Sequence, residues 1–379
     1  MSPSHRQATS ALLVVAGLAT GGLALRHRSP AASAGTDDDL PVRRAPAVMP
    51  AAERLSWGPV PDGDAPTEVI DFTRLGDTLI VLDGRAGRVL LLRPAADGWR
   101  TIGGWGRRGG GPGEFQRASA LALTSAGEVA VLEEGGRIQL FDLTGRALRA
   151  ERAALPCVTR RPTLAYGPGR VRWVASDCAG PGAARDTLFT FLFRADGDGD
   201  YREVRRLPRM AVDLSWGSLL GTRHPLADAG DGVWFGTGQD DCAWLVPGAE
   251  SPDAAAAPVR RCGLVRERLR SPPPPDLERQ RRDAEQRGQH QLARLLRWPD
   301  ALPPFIALLD GGDELLLARP LNGDSLAMVP ADAPFDASRA RLVAPLVSFV
   351  TCTRGACLWY DREGRLALYD PRGPSGARR

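Results

Sequence analysis

The stretch GGWGRRGGGPGEFQRASALALTSAGEVAVLEEGGRIQLFDLTGR, residues 103–146, carries one complete structural unit in order. A Gly-rich turn ends in Phe115, and an apolar run follows at Leu121–Leu123. After a turn come a strand over Glu128–Leu132, a tight Gly135-Gly136 turn, and a strand over Arg137–Phe141 closed by Asp142. Runs rich in Val, Ile and Leu separated by a glycine-bearing turn form a β-hairpin.

The same mark recurs outward from this stretch: a strand ending near an acid, a turn, and a strand beginning with Arg. LIVLDGRAGRVLLL carries it with Asp83 and Arg88, VAVLEEGGRIQLFD with Glu133 and Arg137, and CLWYDREGRLALYD with Asp361 and Arg365. Weaker copies are VRWVASDC with DTLFTFLF, VWFGTGQDD with CAWLVPG, and ELLLARPLNGD with SLAMVP. First strands near Ile80, Val131, Trp173, Trp234, Leu316 and Trp359 give steps of 51, 42, 61, 82 and 43 residues. Units of roughly 40–50 residues with about four short strands each predict a propeller, because one such sheet cannot bury both faces alone. The expected fold is all-β: a six-bladed β-propeller with four-stranded blades, closed by an N-terminal strand from residues 52–60. Blade 1 is expected at Thr67–Arg74, Thr78–Asp83, Arg88–Arg93 and Trp99–Trp105. The last blade's own three strands are expected at Val347–Cys352, Ala356–Tyr360 and Arg365–Tyr369.

Residues 103–146 resemble an NHL-type repeat, and the whole chain resembles the bacterial six-bladed propellers related to it. The Gly-rich approach to a Phe is matched by Gly109-Gly110-Gly111-Pro112-Gly113-Glu114-Phe115, and the final strand by Arg137–Asp142. The strand ending in Asp is matched by Val129–Glu133 with Glu in place of Asp. The Pro common after the Phe is Ala118 here, and the Asn and His common before the Arg are Gly135 and Gly136. Polar binding groups of the family pattern are therefore missing at those positions, while the turns and apolar strands that make the fold are kept.

Composition agrees with an all-β chain: 43 Gly and 32 Pro among 379 residues punctuate it too densely for helices. All 49 basic residues are Arg, which excludes lysine Schiff-base chemistry. Arg6, Arg26 and Arg28 lie before any acid; the remaining 46 Arg face 45 acids from Gly35 onward. No one-sided basic field marks a nucleic-acid binder. Arg260–Arg297 is the local exception, with eleven Arg against five acids.

Residues 1–34 read as a signal peptide or, uncleaved, a membrane anchor: Arg6, an apolar run over Ala11–Leu25 and an Ala32-Ser33-Ala34 cleavage pattern, with Arg26-His27-Arg28 opposing translocation. Residues 35–48 read as a flexible linker, 49–371 as the propeller and 372–379 as a disordered tail. The chain is expected to be exported, periplasmic or extracellular, and monomeric, with any membrane contact through the N-terminal segment. Six cysteines fall into near couples, Cys157 with Cys178, Cys242 with Cys262 and Cys352 with Cys357. The strand reading places each couple at matched ends of adjacent antiparallel strands, so three disulfides are expected; three pairs of buried thiols are the alternative.

Function is less legible, because one propeller fold hosts lyases, lactonases, receptors and scaffolds. Propeller lactonases use Glu, Asp and usually Asn on a divalent cation, and propeller lyases several His. Here Asn322 is the single Asn, and only His224 and His290 follow the export segment. The run Asp196-Gly197-Asp198-Gly199-Asp200 opens like an EF-hand loop, then places Tyr201 and Leu207 where Gly and Glu are required, so it reads as a hairpin turn. No catalytic set, metal or cofactor is assigned. Loops between blades and between second and third strands share one face, the channel mouth. Candidate ligand-binding residues there are Arg107, Arg108, Glu114, Arg160, Arg161, His224, Asp240 and Asp241. The expected role is non-catalytic binding of an envelope protein, peptide or glycan, with anionic partners favoured and no nucleic acid. A hydrolase or lyase using Glu114, Arg108 and Asp241 is the alternative. An insert at residues 272–300 between blades 4 and 5 is expected to form a helix over Leu277–Arg297 and to act as a basic lid on the mouth.

Overall fold

Alternating apolar residues in every hairpin demand two partners for each sheet, and the chain supplies them by closing a ring. The computed structural model describes residues 42–44, 55–61, 65–153, 155, 160–167, 171–179, 188–197, 200–209, 226–228, 232–237, 241–248, 258–265, 267–270, 275–290, 293, 302, 305–310, 314–321, 325–331, 339–346, 348–353, 355–361 and 363–371. Among them are six four-stranded antiparallel sheets. Blade 1 is Val69–Leu75, Thr78–Asp83, Arg88–Ala95 and Gly98–Trp105; blade 2 is Ala118–Leu123, Val129–Glu133, Arg137–Phe141 and Ala147–Arg152. Blade 3 is Arg160–Tyr166, Arg172–Ala179, Leu188–Ala195 and Arg202–Arg209; blade 4 is Leu226–Asp228, Gly232–Phe235, Ala243–Pro247 and Val259–Arg261. Blade 5 is Ala307–Asp310, Leu315–Pro320, Ser325–Pro330 and Leu342–Pro345. Blade 6 takes Phe349–Thr353, Ala356–Tyr360 and Arg365–Tyr369 from the C-terminal end. Its fourth strand is Gly58–Pro59, antiparallel to Arg365–Leu366. The first strands of the blades touch in a closed circuit from blade 1 through blade 6 and back, so they surround the axis.

Parity along each strand decides which neighbour a side chain meets. In blade 1, Ile80 and Leu82 pack with Val129 and Val131 of blade 2, while Leu79 and Val81 pack with Leu358 and Leu366 of blade 6. Ala130 and Leu132 then turn the other way, against Leu164 and Val174 of blade 3. The other three interfaces repeat the plan, with Trp173 and Phe235 between blades 3 and 4, Trp234 and Leu317 between 4 and 5, and Leu326 and Trp359 between 5 and 6. Buried on both faces, second strands lose the polar alternation of a half-exposed sheet and read as LIVL, VAVL and LLLA.

Two disulfides join described residues. Cys352 and Cys357 are direct register partners in the first hairpin of blade 6, and Cys242 with Cys262 extends the Ala243–Arg261 register of blade 4. Cys157 and the Cys178 side chain lie outside the described residues. Asp196 ends the third strand of blade 3 in a hairpin turn, paired with Arg194 and Arg202 at 2.7 and 3.0 Å.

Two sequence expectations are corrected. Val42–Arg44, expected within a flexible linker, pairs in parallel with Arg268–Arg270 ahead of the insert. The helix expected over Leu277–Arg297 is broken: α1 is Pro275–Gln286, a turn follows at Gly288, and helical backbone resumes at His290 and Ala293. Pro275 suits the first helical turn, where its missing N–H costs nothing. At the other end Gly288, with φ of 70°, lets its N–H reach the Glu285 carbonyl at 3.0 Å and the Gln289 N–H reach Ala284 at 2.8 Å, which stops the helix.

Two predictions come from this frame. Replacing both Cys242 and Cys262 with Ser should lower unfolding free energy by about 3 kcal/mol, and the Cys352/Cys357 double variant by about 2, because the smaller loop loses less entropy. Urea unfolding under oxidising and reducing conditions checks the order. Gly136 has φ of 81°, and a Cβ there would lie 2.5 Å from the Ala153 carbonyl oxygen, whereas a Cβ on Gly135 meets nothing within 4 Å. Gly136→Ala should therefore cost about 2 kcal/mol or more and Gly135→Ala within about 0.5.

Candidate functional site at the channel mouth

Loops that return from an outer strand to the axis have no ladder partners, so their amides need other acceptors. Blade 1 meets that need with Asp83, which ends the second strand and is fully buried. Its carboxylate accepts N–H groups from Thr67 at 2.8 Å, Glu68 at 3.2 Å and Ala86 at 3.1 Å, with Arg88 Nε 3.4 Å away. One side chain thus fixes both the hairpin turn and the loop leading into its own blade. Glu133 repeats the device in blade 2, accepting the Gln116 N–H at 2.8 Å and pairing with Arg137. Asp361 does half of it, accepting the Glu363 and Arg365 N–H groups at 3.0 and 2.9 Å and Arg365 Nε at 2.7 Å.

The Gly-rich loop before blade 2 is built the same way. Arg107–Arg108 pairs in parallel with Glu114–Phe115. Glu114 Oε2 accepts the Gly111 N–H at 2.9 Å, and Oε1 accepts Arg107 Nε at 2.8 Å. The Gly111 amide first, then the Arg107 guanidinium, hold the Glu114 carboxyl below its usual range, against a smaller opposing effect of burial. From the third strand of blade 2, Arg137 donates to the carbonyls of Gly110 and Glu114 at 2.7 and 2.6 Å. Gln139 donates Nε2 to the Glu114 carbonyl at 2.8 Å and accepts the Gly113 N–H at 3.0 Å. Phe115 closes the loop from beneath, edge-on to Phe141 at 5.7 Å. The mouth's chemistry is therefore turned outward as guanidinium: the Arg107 side chain is 80% exposed, and exposed Arg108 donates to the Arg85 carbonyl at 2.8 Å.

Of the sequence candidates, Arg107, Arg108 and Glu114 share this one loop. Asp241 belongs to blade 4, two blades away, where its Oδ2 accepts the Gly263 N–H at 2.8 Å and its carbonyl accepts Leu264 N–H at 3.0 Å, beside the Cys242–Cys262 disulfide. Asp241, Cys242 and Cys262 have the donor types of a metal site, but both sulfurs are spent on the disulfide. Among the described residues no bond joins Glu114, Arg108 and Asp241 to one another: Glu114 holds its own loop, Arg108 the blade 1 hairpin at Arg85, and Asp241 the end of blade 4. Arg160 and Arg161 open the first strand of blade 3, with Arg160 in register with Asp177. The side chains of Arg160 and Arg161, and the whole of His224 and Asp240, lie outside the described residues.

The insert also differs from the expected lid. Leu277 and Ala284 are buried along one stripe of α1, and the flanking Leu264, Val265, Leu269, Leu302 and Phe305 join the core between blades 4 and 5. Beneath them buried Arg319 donates Nη2 to the Glu267 carbonyl at 2.7 Å; burial brings its pKa down to about 10, against the opposing charge of Glu267. Sequence reading missed this contact, and the sole hint was an Arg inside the apolar run LLLARP. The helix itself holds three Arg and four acids, and Arg281 is neutralised by Glu278 and Glu285. The basic excess of the region lies in the flanking strands instead, at Arg260, Arg261, Arg268 and Arg270. No described helix is long and apolar enough to cross a membrane.

No family model and no curated protein matches the chain. Solved structures do. A candidate exported protein from Bacteroides fragilis NCTC 9343 aligns with TM-score 0.50 at 10% identity, covering 87% of this chain and 99% of that one. Regucalcin from Agrobacterium tumefaciens, described as a calcium-binding protein, aligns with TM-score 0.47 at 10% identity, covering 84% and 95%. At 10% identity the likeness to the Bacteroides fragilis protein is one of fold alone, over most of both chains.

Proposed function

We propose that the chain is an exported, non-catalytic propeller that binds a protein, peptide or glycan of the cell envelope through its channel-mouth loops. The observation that carries this reading is the use to which the mouth carboxylates are put. Asp83, Glu114, Glu133 and Asp241 each accept loop amides. A general acid or base needs a carboxyl free to exchange protons with substrate and a pKa near the working pH. Glu114 is displaced the other way, and the outward groups beside it are arginines, which favour an anionic partner. The NHL-type resemblance of residues 103–146 fits a recognition module built on repeated hairpins. Export is supported by the signal-like N-terminal residues 1–34 and by two disulfides, which persist in oxidising compartments.

The test uses the full chain expressed in a bacterial host, fractionated by osmotic shock, and then used to capture partners from envelope extract. An Arg85→Gln/Arg107→Gln/Arg108→Gln variant should retain at least tenfold less of the partner held by the wild type. A control variant on the opposite face, Arg146→Gln, should capture it unchanged. Equal capture by both variants, or chemical conversion of the partner on incubation, would overturn the proposal.

A further inference from the structure

The end of blade 4 brings three donor groups together. Asp241 and Cys242 lie just before its third strand and Cys262 just after its fourth, so the ladder that pairs Ala243 with Arg261 sets them side by side. One carboxylate oxygen and the two sulfurs lie within 4.8 Å of one another. Asp241 is fixed twice: Oδ2 accepts the Gly263 N–H at 2.8 Å, and its carbonyl accepts the Leu264 N–H at 3.0 Å. Its other oxygen, Oδ1, stands 3.3 Å from Cys242 Sγ. A disulfide sulfur carries no hydrogen, so this approach is not a hydrogen bond, and a cation between thiolate and carboxylate would satisfy both. Around a tetrahedral zinc ion an oxygen and a sulfur ligand sit roughly 3.5 Å apart, and two sulfurs roughly 3.8 Å apart. The first separation is close to the one observed, and the second needs the S–S bond to open. Cys262 is exposed and Asp241 half-buried, so a reductant and an ion both have access from solvent, with buried Cys242 as the floor of the site.

We propose that Asp241, Cys242 and Cys262 form a redox-gated zinc site, closed while the cysteines are a disulfide and created when a dithiol reductant opens it. A thiolate of the reductant attacks Cys262 Sγ, the S–S bond breaks, and Cys242 leaves as thiolate. The reductant's second thiol then displaces Cys262 and closes the reductant's own disulfide, so two electrons pass to the protein sulfurs. Zinc takes both thiolates and the Asp241 carboxylate, one proton per thiol goes to solvent, and a water fills the fourth position. The Gly263 and Leu264 amides on Asp241 keep the donors together once the S–S bond is gone. The site stands whether or not the mouth loops bind a partner.

The test is titration of the full chain with Co2+ as a spectroscopic probe and Zn2+ in competition, before and after reduction by a phosphine. Reduced wild type should bind one equivalent more than a Cys242→Ser/Cys262→Ser variant, with thiolate-to-cobalt charge-transfer absorption, and oxidised wild type should lack that equivalent. Asp241→Asn should weaken the extra equivalent at least tenfold, whereas Cys352→Ser/Cys357→Ser should keep it. Alkylation of the reduced wild-type chain needs no variant: zinc should slow modification of Cys242 and Cys262 at least tenfold, read by peptide mass mapping. An unfolded reduced chain would bind through thiols alone, and Asp241→Asn would then bind as tightly as wild type. That result overturns the site, as do equal binding by oxidised and reduced wild type and unslowed alkylation at Cys242 and Cys262.

Discussion

Burial of both faces of every sheet is the constraint on which the molecule depends. A blade such as Thr78–Asp83 with Arg88–Ala95 sends alternate side chains to blades 6 and 2, so neither set is satisfied until both neighbours are present. No pair of blades is a finished core, and stability arrives only with the ring. This gives the short pairing of Gly58–Pro59 with Arg365–Leu366 an importance beyond its two residues, because it joins the first blade's approach to the last blade's outer edge. Other ties run along the axis: Asp71 of blade 1 accepts the Leu121 N–H of blade 2 at 2.7 Å, and Ser119 of blade 2 donates to the Pro162 carbonyl of blade 3 at 3.3 Å.

A ring of this kind leaves its loops outside the core, and that explains where the acids go. Loop amides above the mouth are held by carboxylates at the ends of the second strands, and hydrogen bonds to charged groups are among the stronger ones available at a partly wet surface. Acids that look in sequence like a catalytic rim are for this reason structural pins. Arg88 and Arg137 neutralise the pins from within the same hairpin, so the Asp or Glu followed by Arg is one device with two jobs: turn and loop.

Legibility in the sequence followed distance along the chain. The hairpins of blades 1, 2 and 6 were readable because turn, acid and Arg fall within a few residues, and their continuous apolar runs are local. The cysteine couples Cys242–Cys262 and Cys352–Cys357 were readable for the same reason, being register partners in adjacent strands. Val42–Arg44 was not, because three residues carry no periodicity and their partner lies beyond four blades at Arg268–Arg270. The break in the helix was missed because Gly288 was read as one residue inside a helix, when its left-handed backbone closes a turn there before helical backbone resumes at His290. At the candidate site, Arg107, Arg108 and Glu114 were legible as members of one Gly-rich loop. The support from Arg137 and Gln139 was hidden behind their roles as strand residues.

The same rule of distance explains why the arginine and tryptophan seam carries no sequence signal. Arg205 and Trp244 belong to different blades and meet only because the ring sets blade 3 against blade 4. Blades 1 and 2 balance their cations within hairpins, through Asp83 with Arg88, Glu133 with Arg137 and Asp142 with Arg146. Blades 3 and 4 also place arginines over aromatic rings, Arg194 on Trp173, Arg205 and Arg260 on Trp244, and Arg261 on Trp234. A ring face attracts a cation but offers no acceptor for its N–H groups. The long steps of the repeat fall at these same blades, where the sequence pattern is weakest.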